Sequence, residues 1–246
     1  MIARALDRAS ELAAFSALAA ACVLASGCDR SADAASPRLV RPVFAAGAPA
    51  PRLDLTQASG EAQRAELKRL VQDPAICREA LAAAGVRFTD LPPEREGVEG
   101  CGFTDALVLE GGFTLYSAPL QVTCPLAAHL FAWEFDVVAP AAERHFGVAL
   151  EGVVVLGSYS CRRRAGDGRL SQHAFARAAD IAGFRLADGR TIPVEGGWWS
   201  DAPERRFLRE VHAGACRLFD VTLGPAYDAA HADHFHVDVG GGDVCR

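Results

Sequence analysis

The chain has 246 residues, of which 50% are hydrophobic and 23% are charged. This is the composition of an ordinary globular protein, and the length is sufficient for one domain with a hydrophobic core and added extensions. The formal net charge is −6 and no block of lysine or arginine stands out, which argues against a nucleic-acid partner because phosphate binding needs a basic surface.

The first segment, residues 1–27, is predicted to be an export signal. Arg4 and Arg8 precede an apolar run over residues 12–24 that is too short to span a membrane comfortably. The run ends in small residues before Cys28, and this ending resembles the bacterial lipobox, whose cysteine is lipidated. Ordinary cleavage that leaves Cys28 unmodified is the alternative. The mature protein is therefore expected in the periplasm or cell envelope, anchored to the membrane if Cys28 carries lipid.

A tether is predicted next, over residues 28–60, because this segment is rich in alanine, proline and small polar residues and has no hydrophobic period. The folded domain is predicted over residues 61–246. It contains an even set of six cysteines without a CxxC pair, which favours disulfides over a zinc knuckle in an exported protein. We expect sequence neighbours to pair, as Cys77–Cys101, Cys124–Cys161 and Cys216–Cys245.

The first half of the domain is predicted to be mainly helical, with one hairpin. Its elements, from hydrophobic periodicity and turn residues, are two helices at EAQRAELKRLV and AICREALAAAG, a short strand at VRFTDL, a hairpin at FTDALVLE and FTLYSAP, and a long helix at CPLAAHLFAWEFDVVAPAAERHFG. Pro140 should kink or break the long helix, because proline lacks the backbone N–H that a helix interior needs.

The second half mixes strands with one amphipathic helix. Its predicted elements are strands at GVVVLGSYSCR, AADIAGFRL, RTIPVE and HFHVDV, with the helix at PERRFLREVHAGACRLF before the last strand. No regular alternation of strand and helix runs through the chain. The predicted class is therefore α+β, with a small mixed or antiparallel sheet, helices packed on one side and disulfide bonds between the elements.

A histidine cluster, HADHFHVD at residues 231–238, contains three of the seven histidines of the chain. In a strand, side chains alternate between two faces, so His234, His236 and Asp238 share one face while the apolar residues between them face the core. Two imidazoles on one face can bind one small ion or one substrate, and Asp233 or Asp238 can hold an imidazole by its second nitrogen. The alternative is a solvated polar face.

A second polar constellation, SQHAFARAADI, contains His173 and Asp180. On a regular helix these residues would lie about 10.5 Å apart along the axis, too far to bind one ion, so the chain must bend if both serve one site. Together with a histidine from the first cluster they form a His–Asp–His set, which is typical of catalytic zinc with a fourth position left to water. The alternative is a loop histidine and a strand-edge acid.

These residues also carry a family resemblance. SQHAFARAAD resembles the S-x-H-x-x-G-x-A-x-D motif of the D-alanyl-D-alanine metallopeptidases and their hedgehog-like relatives, and HADHFHVD resembles their closing H-x-H. Together with GSYSCR and the pair Trp198-Trp199, these motifs look most like the bacterial extensin-like C-terminal domain family, over roughly residues 70–246.

The resemblance implies a role for each matching residue. His173, Asp180 and His236 would bind zinc. His234 would act beside the metal as general base or as stabiliser of developing charge. Arg162 matches the position of a substrate- or oxyanion-binding arginine.

Three further residues are assigned to the substrate side of the site. Ser171 would orient the loop of His173, and Trp198 and Trp199 could line a groove for sugar or peptide, or divide between core and surface. The chain departs from the motif at Ala176, where the family has glycine. It also shows no obvious glutamate near HFH, although the peptidases often use one as base. The role of His231 stays open.

The expected function is therefore a zinc-dependent hydrolase of peptidoglycan peptides, of the D,D-carboxypeptidase or endopeptidase type. Zinc would acidify its water and polarise the scissile carbonyl. The alternative is a non-catalytic, zinc-stabilised binding or structural module of the envelope that keeps the metal ligands without turnover.

Overall fold

The computed structural model describes residues 54–57, 60–93, 100–164 and 166–246. The predicted signal peptide and Cys28 lie outside the described residues, as does most of the predicted tether. Within the described ranges, no helix is both long enough and apolar enough to cross a bilayer.

The chain folds into helices and one mixed sheet. The helices are α1 (Gly60–Leu70), α2 (Pro74–Ala83), α3 (Cys124–Trp133), α4 (Ala139–Phe146) and α5 (Pro203–Leu218). The strands are β1 (Arg87–Asp90), β2 (Ala106–Gly111), β3 (Leu115–Thr123), β4 (Leu150–Gly157), β5 (Ala178–Leu186), β6 (Thr191–Pro193), β7 (Val221–Leu223), β8 (Phe235–Asp238) and β9 (Val244–Cys245). The predicted α+β class and mixed sheet are confirmed.

The strands pair in the order β1-β2-β3-β4-β5-β8-β7-β9, and β6 pairs with β5. The pairs β3–β4 and β7–β9 are parallel, and the other pairs are antiparallel. β5 therefore lies in the middle of the sheet, between β4 and β8, where backbone pairing with both neighbouring strands fixes its position.

The helices pack against the apolar face of this sheet. Phe184 of β5 contacts Trp133 of α3 and Phe207 of α5 edge to face, at ring-centroid distances of 5.7 and 5.2 Å. The Trp133 indole N–H also donates to the carbonyl of Val211 on α5, at 2.9 Å. These aromatic side chains are fully buried and each contributes roughly 2 kcal/mol or more through burial. Because the apolar residues of β5 and β8 face the helices, their polar residues are left for the opposite face.

The predicted interruption at Pro140 takes the form of a π-helical segment. α3 continues into Glu134–Val138, which forms a π-helix, and α4 then begins with Pro140 in its first turn. Proline cannot donate to the carbonyl four residues earlier and its ring crowds that carbonyl. The wider π turn accommodates both effects, so helical backbone continues from α3 through Glu134–Val138 into α4.

The π-helical segment contains a buried carboxyl group, that of Glu134. Its Oε2 accepts hydrogen bonds from the backbone N–H and the hydroxyl of Thr114, at 2.9 and 2.7 Å, and its Oε1 accepts one from the hydroxyl of Tyr116. Burial raises the pKa of Glu134 to about 7, although the hydrogen bonds from Tyr116 and Thr114 lower it. The carboxyl therefore changes charge near neutral pH.

We expect this group to make stability depend on pH. A raised carboxyl pKa means that the folded state favours the protonated form, so the stabilisation is complete below the ordinary value of 4.5 and is lost as pH rises through about 7. Relative to Glu134→Gln, the wild type should lose roughly 3 kcal/mol of unfolding free energy between about pH 4 and pH 8. Urea unfolding of both proteins measures this, and a difference independent of pH would contradict it.

All six cysteines of the domain form disulfides, as expected, but two of the three predicted pairings are wrong. The bonds are Cys77–Cys124, Cys101–Cys161 and Cys216–Cys245. The predicted pairs Cys77–Cys101 and Cys124–Cys161 do not form. Because α2 packs against α3, the buried Cys77 and Cys124 meet across 47 residues, and Cys101 bonds to Cys161 instead. Cys216–Cys245 is confirmed.

Candidate metal centre

Three elements position the predicted ligands. His173 lies on the 3₁₀ turn Gln172–Phe175, which follows the loop after β4. Asp180 is on β5 and His236 is on β8, and the two residues are directly opposite each other in the antiparallel register. Because the apolar neighbours Ile181 and Phe235 belong to the core cluster, the alternation of each strand turns Asp180 and His236 to the face away from the helices.

The donor atoms of these residues form a small triangle. Asp180 Oδ1 lies 3.2 Å from His173 Nε2 and 3.0 Å from His236 Nδ1, and the two nitrogens are 3.1 Å apart. Ligand atoms about 2.1 Å from one tetrahedral zinc ion are separated by about 3.4 Å. The triangle is close to that size, so a small expansion would admit an ion.

One nitrogen of each ring, in His173 and His236, forms a hydrogen bond on the outer side of the triangle, which leaves the other nitrogen to face a metal ion. His173 Nδ1 donates to the carbonyl oxygen of Ser158, and His236 Nε2 donates to Asp238 Oδ2 at 3.2 Å. In neutral rings, the nitrogens that face each other then both carry lone pairs, which repel unless a proton or a cation lies between them. Such outer partners are typical of metal-binding histidines, and the donor set fits zinc.

Charge in the site follows from the same contacts. Burial lowers the pKa of His236, but hydrogen bonds to Asp180 and Asp238 outweigh it and raise the pKa to about 9. Burial raises the pKa of Asp180, but hydrogen bonds from His173 and His236 outweigh it and hold the pKa well below the ordinary value. The Asp180 carboxylate is therefore ionised at all ordinary pH values and attracts a cation.

The two predicted catalytic residues border the triangle. His234 Nε2 lies 3.5 Å from Asp180 Oδ1, and its Nδ1 is 2.7 Å from Asp233 Oδ1, so Asp233 fixes the ring. Arg162 Nη2 lies 3.6 Å from Asp180 Oδ2, and its side chain is 51% exposed. The Asp180 carboxylate thus lies within 3.6 Å of four side chains, those of His173, His236, His234 and Arg162.

His231, whose role the sequence left open, lies beside the same site. It ends the 3₁₀ turn Ala229–His231 before β8, and its Nδ1 is 2.6 Å from Asp228 Oδ1. Its ring centroid is 5.2 Å from that of His234 and 6.0 Å from that of His236. His231 is thus the second imidazole at this site, after His234, that an aspartate holds in place. The spacing of the histidines at residues 231–238 is the only sequence signal for it.

The loop of His173 forms a tight turn that ends at Ala176. The Ser171 hydroxyl accepts from the backbone N–H of His173 at 3.4 Å, so it caps the turn and is itself buried. Ala176 has φ +54°, the left-handed conformation that suits the glycine of the motif and costs roughly 1 kcal/mol for alanine. Its buried methyl packs with Phe103 and Ala106, which offsets part of this cost.

Trp198 and Trp199, which the sequence assigns to the substrate side of the site, occupy different environments. Trp198 is 2% exposed and packs edge to face on His212 and Phe235. Trp199 is 62% exposed. Only Trp199 therefore offers surface to a ligand, and its role in binding stays a prediction.

One other group of potential ligand atoms is found among the described residues, in His212, Cys216 and Cys245. The two sulfurs are bonded to each other, and a disulfide lacks the thiolates that bind zinc. The His–Asp–His triangle is therefore the better candidate for a metal centre.

Comparison with known proteins confirms the predicted resemblance to the extensin-like C-terminal domain family. No curated protein and no solved structure matches the chain. The family model described as extensin-like protein C-terminus matches residues 75–246, which is more than half of the chain and includes the whole triangle. The chain therefore belongs to the extensin-like protein C-terminus family.

Proposed function

We propose that this protein is a zinc-dependent hydrolase of peptidoglycan peptides, acting as a D,D-carboxypeptidase or endopeptidase in the periplasm or cell envelope. The observation that carries the proposal is the convergence of three donor atoms, all 3.0–3.2 Å apart, from His173, Asp180 and His236. A binding surface would not require two imidazole nitrogens and a carboxylate oxygen to converge on one point.

The residues around the triangle fit metal-assisted hydrolysis. A zinc ion in such a site acidifies a water molecule and polarises a carbonyl group. Because Asp233 accepts from His234 Nδ1, His234 Nε2 is the atom that takes a proton from the attacking water and returns it to the leaving amine. His234 therefore serves as general base and then as general acid.

Arg162 supplies positive charge at the solvent side of the site. Its contact with Asp180 Oδ2 holds one edge of the guanidinium, and its exposure leaves the remaining N–H groups to a substrate. A carbonyl oxygen that becomes negative during hydrolysis, or the terminal carboxylate of a peptide, is the matching partner.

A non-catalytic module is the second candidate. In the described ranges, no glutamate forms a hydrogen bond or ion pair with His173, Asp180 or His236. A protein that keeps the metal ligands for stability and binds the envelope without turnover needs no such base. His234 is the residue that favours the hydrolase.

Defined muropeptides distinguish the two candidates. The zinc-loaded protein is incubated with a monomeric pentapeptide and with a cross-linked dimer, from mildly acid to neutral pH, and mass spectrometry follows released D-alanine and cleaved cross-links. We expect zinc-dependent cleavage that stops after chelation. Bound zinc without cleavage of either substrate would favour the non-catalytic module.

A further inference from the structure

Trp199 has the most exposed of the large apolar side chains in the part of the chain that the structure describes, at 62%. An indole is large enough that folding or binding normally covers most of it. The other two tryptophans, Trp133 and Trp198, follow this rule and are buried. The exposure of Trp199 therefore leaves one indole face open to a ligand.

The exposed indole is held in place by its neighbours. Gly197–Trp199 forms a 3₁₀ turn between β6 and α5, and the hydroxyl of Ser200 donates to the carbonyl of Gly197 at 2.9 Å. Trp198 anchors the turn by packing on Phe235, and its ring meets that of Trp199 edge to face at 6.4 Å. Because the platform is preformed, a ligand that stacks on it would order few additional groups.

A cation lies beside the indole. The Arg209 guanidinium carbon is 3.7 Å from the centre of the Trp198 ring and 5.5 Å from that of Trp199, a cation–π arrangement. No carboxylate in the described residues forms an ion pair with Arg209. Partial burial and the charge of Arg205, one turn earlier on α5, both lower the pKa of Arg209. Arg205 is paired with Asp201 at 3.6 Å, so Arg209 is the cation at this aromatic surface that an anionic partner would meet.

We propose that Trp199 and Arg209 form a binding site for an acidic sugar. The flat C–H face of a pyranose ring matches the exposed indole, and a carboxylate carried by the same sugar matches the guanidinium, which pairs with carboxylates through parallel N–H groups. The lactyl carboxylate of muramic acid in peptide-free peptidoglycan strands and the ring carboxylate of uronic acids in other polysaccharides share this chemistry. The site is formed by the turn before α5 and by α5 itself, so it does not depend on the zinc chemistry.

Titration with soluble glycans tests the site. The probes are peptide-free glycan strands that contain N-acetylmuramic acid, oligogalacturonate, and neutral oligomers of N-acetylglucosamine. Binding is followed by calorimetry and by protection of tryptophan fluorescence from acrylamide, which reports mainly on Trp199 because the other indoles are buried. We expect saturable binding of at least one acidic glycan, about tenfold or more tighter than the neutral oligomers. The relative affinities for the muramic-acid strands and for oligogalacturonate show whether the site prefers muramic acid or a uronic acid.

Matched variants locate the binding. Trp199→Ala and Arg209→Gln should each weaken the affinity for the acidic glycan about tenfold, whereas Leu115→Ala and Arg87→Gln, two exposed strand residues, should leave it unchanged. His173→Ala should also bind the glycan normally, which separates this site from the metal centre. No binding of either acidic glycan, equal affinity for the neutral oligomers, or unchanged affinity in Trp199→Ala would overturn the proposal.

Discussion

Replacing His173 by alanine should abolish stoichiometric zinc binding, and with it any zinc-dependent cleavage of muropeptides. The substitution removes the nitrogen that lies 3.1 Å from His236 Nδ1 and 3.2 Å from Asp180 Oδ1. Loss of an outer hydrogen-bond partner already lowers metal affinity about 10- to 100-fold, so loss of a ligand should exceed that range. Metal analysis after dialysis and competition with a chromophoric chelator measure the change.

Two further variants make this result specific. His173 is buried, so His173→Gln keeps much of the volume and should also lose zinc if the imidazole is a ligand. His145→Ala removes a histidine on α4 that contacts Glu210, and it should retain one zinc ion per chain. Circular dichroism verifies that each variant is folded. Wild-type zinc content in His173→Ala would remove this residue from the site.

The fold could be predicted where local pattern decides structure. Alternation in HFHVDV and AADIAGFRL predicts two strands, each with a polar and an apolar face, whereas the pairing that places Asp180 opposite His236 is a tertiary contact that alternation does not determine. Disulfide pairing could not be predicted because it depends on which helices pack together. α2 and α3 meet in the core, so Cys77 bonds to Cys124 across the intervening hairpin.

The site could be predicted only as a set of residue types. The sequence indicates that His173 and Asp180 need a bend between them, and the 3₁₀ turn with Ala176 at positive φ supplies it. The outer contact of His173 carries no sequence signal, because the carbonyl of Ser158 is a backbone group that any residue would provide. The same holds for the approach of His231, which depends on how the turn before β8 closes.

Replacing His234 by alanine should leave zinc binding intact and lower the rate of muropeptide cleavage. His234 Nε2 is 3.5 Å from Asp180 Oδ1, but His234 does not belong to the triangle of donor atoms. Loss of a general acid–base residue typically lowers kcat about 10²- to 10⁴-fold. Because the substrate contacts remain, KM should change little, and steady-state kinetics on the zinc-loaded variant separates the two parameters.

Chemical rescue distinguishes proton transfer from a merely structural role of His234. Added imidazole can occupy the space of the missing ring and carry the proton, so it should restore part of the kcat of His234→Ala, whereas it should not help His173→Ala, which lacks a metal ligand. Asp233→Asn keeps the shape but loses the carboxylate that fixes the His234 ring, and it should give a smaller loss of kcat. If His234→Ala cleaves muropeptides at the wild-type rate, the proton passes through another group, and His231, held by Asp228 beside the same ring, is the next residue to replace.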